Sequence, residues 1–440
     1  MFFLRKPICF LVSLLMSLNL YPKNIAGNTG TVSETQKPVM RFVVCSDIHM
    51  EDSPSCRQYG RLEKLFTDSY KYAASQPYKA IDAFVFVGDI INYGTKAQAD
   101  NVNAIVNKYK KAGTPLMCVY DNHDIGDGST TIAQCEKWFG VPANEDRVIN
   151  GFHFITASYD GSSRSYATRL PSLYKQLNDA KKEDPKKPIF VFNHRNIEGT
   201  VYGSTDWGTF ELSPVLNFFP QIIDFSGHSH YPINDPRSCS QYFFTSFNCG
   251  TLSYAELEAG MSYGTVPPDA EGAAQFYIVE VYADNSVAVK PFNIMTDDFF
   301  KVPSSTSDKQ LIYYITNPSD RSGFTYTNAR YLTADIPVWP KDAKTEMSGV
   351  TSTGATVTFT QALDGEEVHS YTVTLKIQGI VAGIYKFWSD FYMEPMPAAM
   401  SWTFKDLYPN TKYTVEINAY DTYMNQTKAP LTASFKTAAE

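Results

Sequence analysis

At 440 residues, with 43% apolar and 14% aromatic residues, the chain has the make-up of a packed globular protein and room for two ordinary domain cores. A formal net charge of -8 and the lack of any Lys/Arg-rich block argue against recognition of a nucleic-acid duplex by phosphate neutralisation, and leave open a small anionic substrate at a local cation site. Seven cysteines are too few for a fold that depends on a disulfide framework.

The chain starts with basic Arg5 and Lys6, an apolar run from Ile8 to Leu20 and a small-residue exit at Ile25-Ala26-Gly27. This reads as a signal peptide over residues 1–26, cleaved rather than kept as an anchor, because the run is short for a membrane span and is broken by serines and Asn19. A secreted or periplasmic protein is expected, with no membrane span after cleavage. Beyond Cys9 the remaining cysteines, Cys45, Cys56, Cys118, Cys135, Cys239 and Cys249, are an even set compatible with an oxidising compartment; Cys45 and Cys118 read as buried thiols.

After a polar stretch to Lys37, apolar strands alternate with helical segments, and each strand ends in polar residues. Met40 to Cys45 leads to Ser46-Asp47-Ile48-His49, and Ala83 to Val87 leads to Gly88-Asp89-Ile90-Ile91-Asn92. Pro115 to Tyr120 leads to Asp121-Asn122-His123-Asp124, and Pro188 to Phe192 leads to Asn193-His194. The run from Phe218 through Asp224 then delivers Phe225-Ser226-Gly227-His228-Ser229-His230, two imidazoles one residue apart at a strand end. Sheets built this way bind ligands outside the carboxyl ends of their strands. Ala274 to Val281 and Val287 to Pro291 read as a closing hairpin, so a first domain is expected over 39–293 and a connector that packs partly on it over 294–336.

From 337 to 437 the pattern changes to short Thr/Val/Tyr-rich strands without helices, the mark of an antiparallel sandwich of about a hundred residues. Leu407-Tyr408-Pro409-Asn410-Thr411-Lys412-Tyr413-Thr414-Val415 resembles the fibronectin type III signature, with Tyr413 as the corner tyrosine whose hydroxyl ties back to the preceding turn. Phe359 stands where that family usually has tryptophan, and the stretch from Gly379 to Pro397 is longer than usual.

The strand ends together offer Asp47, His49, Asp89, Asn122, His194, His228 and His230, a set of imidazole, carboxylate and amide donors without thiolate. That suits manganese, iron, zinc or cobalt, and it is more than one ion needs when a position stays open for water. Two ions sharing Asp89 fit better.

In their order, Asp47-x-His49, Gly88-Asp89-x-x-Asn92, Asn122-His123-Asp124, His194 and Gly227-His228-x-His230 resemble the calcineurin-like metallophosphoesterases. The resemblance implies an α/β fold with a β-sandwich core flanked by helices. It also implies one metal held by Asp47, His49, Asp89 and His230, and a second by Asp89, Asn122, His194 and His228. His123 would be the general acid, oriented or charged by Asp124, with a mere hydrogen-bonding role behind the ligands as the other reading. The chemistry implied is hydrolysis of a small phosphoester by a hydroxide bridging two divalent or trivalent ions (Mn, Fe or Zn), with phosphodiesters placed ahead of phosphomonoesters.

Two positions depart from the family. Asp121 replaces the usual glycine before Asn122, an added negative charge that keeps alive an inactive, adhesive reading of the domain. Asn92 stands where purple acid phosphatases carry a tyrosine ligand, which disfavours that subgroup. Arg195 reads equally as a phosphate contact or an ion-pair partner; Tyr202 and Trp207 read as packing residues ahead of a pocket wall, and His153 and His369 as structural or surface histidines. The sandwich shows no chemistry of its own and is open to packing on the first domain or to a surface or protein partner.

Overall fold

The structure, a computed structural model, describes residues 36–163, 165–302 and 309–439; the signal segment lies outside them. β1 (Met40–Cys45) is buried at every position because it is covered on both faces. Met40, Phe42 and Val44 enter a core between two sheets, where Phe42 meets Phe154 and Phe190 edge-on at 4.9 and 4.8 Å. Val43 and Cys45 face the other way, onto Leu62, Leu65 and Phe66 of the helix Arg57–Ser75 and Val102 and Ile105 of the helix Lys96–Tyr109.

β2 (Ala83–Val87) and β3 (Leu116–Val119) lie parallel to β1, each reached through one of these helices. β4 (Asp146–Ile149) and β5 (Phe152–Ala157) then open a second sheet as a hairpin. The helix Leu170–Glu183 leads to β6 (Ile189–Arg195), followed by β7 (Ile222–Gly227), β8 (Cys239–Gln241) and β9 (Thr245–Asn248); β5, β6, β7 and β9 run parallel. β10 (Gln275–Val281) and β11 (Val287–Asn293) return antiparallel onto β1. The sheets have the orders β11-β10-β1-β2-β3 and β4-β5-β6-β7-β9-β8, face to face, with helices outside both. β12 (Asp298–Phe299) and β13 (Tyr313–Ile315) both pair with β11, so the stretch read as a connector extends the first sheet at its edge.

The C-terminal sandwich has a three-stranded sheet, β14 (Thr345–Ser348), β15 (Ala355–Thr360) and β18 (Ala399–Phe404). Its four-stranded sheet has the order β17-β16-β19-β20, made of β16 (Val368–Ile377), β17 (Ile380–Trp388), β19 (Lys412–Asp421) and β20 (Leu431–Lys436). The corner tyrosine is in place: buried Tyr413 accepts the Tyr408 N–H at its hydroxyl, 2.9 Å away. The first half of the long stretch after Gly379 is β17 itself. Among the described residues the six cysteines are free thiols, and no helix is long and apolar enough to cross a membrane.

Candidate metal centre

The polar residues after β1, β2, β3, β6 and β7 meet at one edge of the two-sheet core. Their backbones are bent to do so: Asp47, His49, Asp89, His228 and His230 have φ of 53°, 48°, 48°, 70° and 58°. Such left-handed angles cost a non-glycine residue about 1 kcal/mol or more and persist where the surroundings over-determine them. Here Asp47 N–H donates to Gly88 O (3.1 Å), His49 N–H to Asp89 O (2.9 Å) and Met50 N–H to Ile90 O (3.1 Å), lacing the end of β1 to the end of β2. Asp124 laces in the third strand end. Its carboxylate accepts the N–H groups of Asp89, Ile90, Ile91 and Asp121 at 3.0, 2.9, 3.1 and 3.0 Å.

Two glycines let the ligands close in. A Cβ on Gly88, at φ 87°, would lie 2.4 Å from His194 Nδ1, and one on Gly227 would lie 1.8 Å from Ser46 Oγ and 2.4 Å from Asp47 Oδ2. The side chains form overlapping clusters, Asp47 with His49 and His230, and Asp89 with His194 and His228, in which the ligand atoms of each group lie within 4.8 Å of one another. His230 Nε2 is 3.0 Å from Asp47 Oδ1, His194 Nε2 is 3.0 Å from Asp89 Oδ2, and His49 Nε2 stands 3.9 Å from Asp89 Oδ2.

The outer side of each ring selects its tautomer. His194 Nδ1 donates to Val87 O (2.7 Å), His230 Nδ1 to Tyr254 O (3.0 Å), and His49 Nδ1 faces Asn92 Oδ1 (3.2 Å) while the Asn92 amide donates to Glu51 Oε1 (2.7 Å). A carbonyl oxygen only accepts, so each Nδ1 carries a proton and each Nε2 is the nitrogen left facing inward, free to give its lone pair to an ion. Asn122 Oδ1 is buried without a hydrogen-bond partner, and Asp47 Oδ1 and His194 Nε2 are buried with other members of the cluster as their polar neighbours, His230 and Asp89. Buried carboxylates and imidazoles packed this closely, with ligand atoms within 4.8 Å of one another, are hard and borderline donors only, with no thiolate among them. The residues present therefore fit a metal.

Without an ion the charges compensate one another. Burial disfavours charge on His194, but Asp89 and Asp47 outweigh it and push the imidazole up to about 10. For His228, burial, then the neighbouring His194, outweigh the pull of Asp89 and Asp121 and push the imidazole down to about 4. Asp47 is held well below the ordinary carboxylate range despite burial, by His230 and His194.

His123 is half-buried, donates from Nδ1 to Asn92 O (2.8 Å) and lies edge-on to His49 with ring centres 4.6 Å apart. It shares a third cluster with His49 and Asp89. Asp124 does not orient it, since both carboxylate oxygens are taken by main-chain N–H groups. Asp121 is buried, with φ outside the left-handed region, so no glycine is required there. Its charge is answered: Oδ1 accepts from Arg195 Nε and Nη2, both at 3.2 Å, and Oδ2 from Tyr166 Oη at 2.9 Å. Arg195 is thus the ion-pair partner, laid over the Tyr159 ring at 4.4 Å. Tyr202 is buried and packs on Tyr231 at 4.4 Å, whereas Trp207 stands edge-on to His228 at 5.7 Å. Tyr254, which sequence reading passes over, holds His230 through its carbonyl and sets its ring 4.4 Å away. A ligand-holding carbonyl leaves no side-chain signature.

Carboxylate, imidazole and amide donors on the strand ends of an α/β sandwich, steadied by outer carbonyls, define a metal-dependent hydrolytic centre. Residues 40–232 match the family model for calcineurin-like phosphoesterase, and residues 340–434 match that for the fibronectin type III domain. The chain carries a calcineurin-like phosphoesterase domain, the mark of a metallophosphoesterase hydrolase, followed by a fibronectin type III domain. No curated protein matches it. Solved structures similar to part of it include a computationally redesigned β-sandwich (19% identical over 24% of this chain and 92% of that one, TM-score 0.18). A myokine structure (19%, 24% and 98%, TM-score 0.18) and FN3tt (16%, 24% and 99%, TM-score 0.19) are others.

Proposed function

We propose that this is a secreted binuclear phosphohydrolase, with Asp47, His49, Asp89 and His230 holding one ion and Asp89, Asn122, His194 and His228 the other. The observation that carries this reading is the gathering of Asp47 with His49 and His230, and of Asp89 with His194 and His228, each group with its ligand atoms within 4.8 Å of one another. Manganese, iron or zinc suits the donors. Two such ions, when bound, lower the pKa of the water between them and place positive charge over phosphoryl oxygens. Asp89 would be shared by the two ions; Val87 O, Tyr254 O and Asn92 hold the rings of His194, His230 and His49 so that each Nε2 faces inward. The leader composition supports export, and the catalytic unit is taken as 39–293, the connector as 294–336 and the sandwich as 337–437.

His123 protonates the departing alkoxide, its ring placed by the Asn92 carbonyl; Asp124 acts at one remove by locking the loops that carry Asp89 and Asn122. Phosphodiesters are the preferred substrate class. Arg195 turns its guanidinium to Asp121, so its charge is already answered before a doubly charged monoester arrives.

The test is hydrolysis of bis-p-nitrophenyl phosphate and p-nitrophenyl phosphate by metal-stripped mature protein refilled with manganese, iron or zinc. Activity should return with a metal and favour the diester, and Asp89→Asn should lose both metal and activity. Hydrolysis by Asp89→Asn at the wild-type rate would sink the ligand assignment. His123→Ala should lower kcat by about a hundredfold for an alkyl ester, and much less for the p-nitrophenyl esters, whose leaving group needs no proton. Equal losses for both would remove His123 as the acid.

A further inference from the structure

Two loops build the side of the metal centre that carries His228 and His230, and both are tied to the fibronectin type III domain. The first is 196–209. It places Trp207 against His228, and its Gly203, at φ 85°, lies so close to the ligand loop that an added Cβ would stand 2.8 Å from Ser229 Cβ and 2.9 Å from Tyr231 Cδ2. Tyr202 packs on Tyr231 and is covered by Arg237 at 3.7 Å; its hydroxyl meets His369 Nε2 at 2.9 Å and also reaches Glu258.

The second loop is 250–273. Its Tyr254 holds the outer nitrogen of His230, and its Glu258 lies 3.1 Å from His369 Nε2. Further along, Ser262 exchanges two bonds with Lys386 of β17: its N–H donates to Lys386 O (2.8 Å), and its hydroxyl accepts the Lys386 N–H (3.1 Å). Behind both loops Tyr202, Tyr231 and Leu257 pack with Trp388, Phe391 and Tyr392, and Asn234 donates to Glu367 Oε2 (3.1 Å) and Phe391 O (2.9 Å).

These contacts do not look like those of a module held out for another protein. His369 has no exposed surface, and its Nε2 faces only groups of the catalytic domain. Inter-domain contacts within a chain are ordinarily small and permit relative motion. Here separation would strip partners from buried Asn234, Glu367 and His369 at once, and a buried polar group left unpaired is costly. The loops themselves have little regular structure, so their shape next to the ligands depends on what they lean against.

We propose that the fibronectin type III domain is a working wall of the active site: through His369 and β17 it positions loops 196–209 and 250–273, and with them Trp207 and Tyr254, beside the bound phosphoester. This rests on the metal-centre reading above. His369 is a positioning residue. It acts on substrate fit through Tyr202 and Glu258, and it has no part in metal binding or proton transfer.

The full mature chain loaded with manganese is assayed with bis-p-nitrophenyl phosphate and p-nitrophenyl phosphate, with bound manganese measured on the same samples. His369→Ala should raise KM for the bulkier diester by about tenfold with kcat within about twofold, and manganese per chain unchanged. His369→Gln, which keeps an N–H for Glu258, should recover part of the loss. Tyr202→Phe removes a hydroxyl alone and should move KM in the same direction, which covers the case in which His369→Ala does not fold. An unchanged KM in Tyr202→Phe and in any folded His369→Ala protein overturns the proposal, and so does manganese lost in step with the rise in KM. Hydrolysis surviving Asp89→Asn would count against the metal assignment instead, and would leave the KM comparison intact.

Discussion

Asp121 illustrates how a single charge is tolerated beside a cation-binding centre. A buried carboxylate is costly unless paired and hydrogen-bonded. Asp121 accepts from Arg195, Tyr166 and the Asn122 N–H (2.8 Å), and so braces the loop that presents the Asn122 amide. Arg195→Ala should therefore lower stability by about 2 kcal/mol, discounted from the fully buried case because the Arg195 side chain is 28% exposed. Denaturant unfolding would measure it, and Arg195→Ala combined with Asp121→Asn should recover most of the loss. His153 offers a pH-dependent counterpart away from the centre. Burial lowers its affinity for a proton, but Asp146 (2.8 Å) and Glu183 (3.1 Å) outweigh that and raise its pKa. A raised folded pKa means that this stabilisation is full below the unfolded value of about 6.5 and is lost as pH rises through the folded value. The melting temperature of His153→Gln should thus fall below that of the unaltered protein by about 2 °C at acidic pH, and the gap should close in alkaline buffer. A gap independent of pH would mean that the ion pairs contribute nothing.

Among the elements, the two glycine turns are the points where strand geometry becomes ligand geometry. Gly227→Ala would drive a methyl group into Ser46 and the Asp47 carboxylate, both held on a buried strand end that cannot retreat. The expected result is loss of bound metal and of hydrolysis together while the far-ultraviolet circular dichroism stays near that of the unaltered protein; metal retained at full occupancy would show that the turn can open. These turns were legible from the start because ligand and glycine lie side by side in Gly88-Asp89 and Gly227-His228, and because strands buried on both faces read as unbroken apolar runs. What the sequence did not disclose is long-range or main-chain. The carbonyls of Val87, Asn92 and Tyr254 hold histidines without any side-chain signal, and the hydrogen bonds of Asp124 to three consecutive N–H groups are invisible next to the more obvious His123. The strands β8 and β9 are short, polar and paired inside the second sheet, so neither periodicity nor length marks them. β17 escaped for a different reason: its first half is exposed at successive apolar positions, Ile380, Val381 and Ile384 among them, which blurs the alternation that a half-buried strand would show.

For the molecule as a whole, the interface gives the two domains reason to unfold together. Domains joined by a slack linker melt separately, and then no single transition describes the chain. Here Trp388, Phe391 and Tyr392 complete an apolar cluster begun by Tyr202 and Tyr231, and the buried polar groups beside them are satisfied across the boundary. Loss of the sandwich would expose that cluster and release both loops at the metal centre. The corner tyrosine provides a lever that touches neither the interface nor the ligands, because Tyr413→Phe removes the acceptor of the Tyr408 N–H inside the sandwich alone. That substitution should destabilise the sandwich by about 1 kcal/mol. If the domains are coupled, heat inactivation of hydrolysis should shift down by about 2 °C in step with the loss of tryptophan fluorescence, although the substitution lies in the other domain. If fluorescence shifts and inactivation does not, the catalytic domain holds its loops unaided, and the sandwich is a passenger on it.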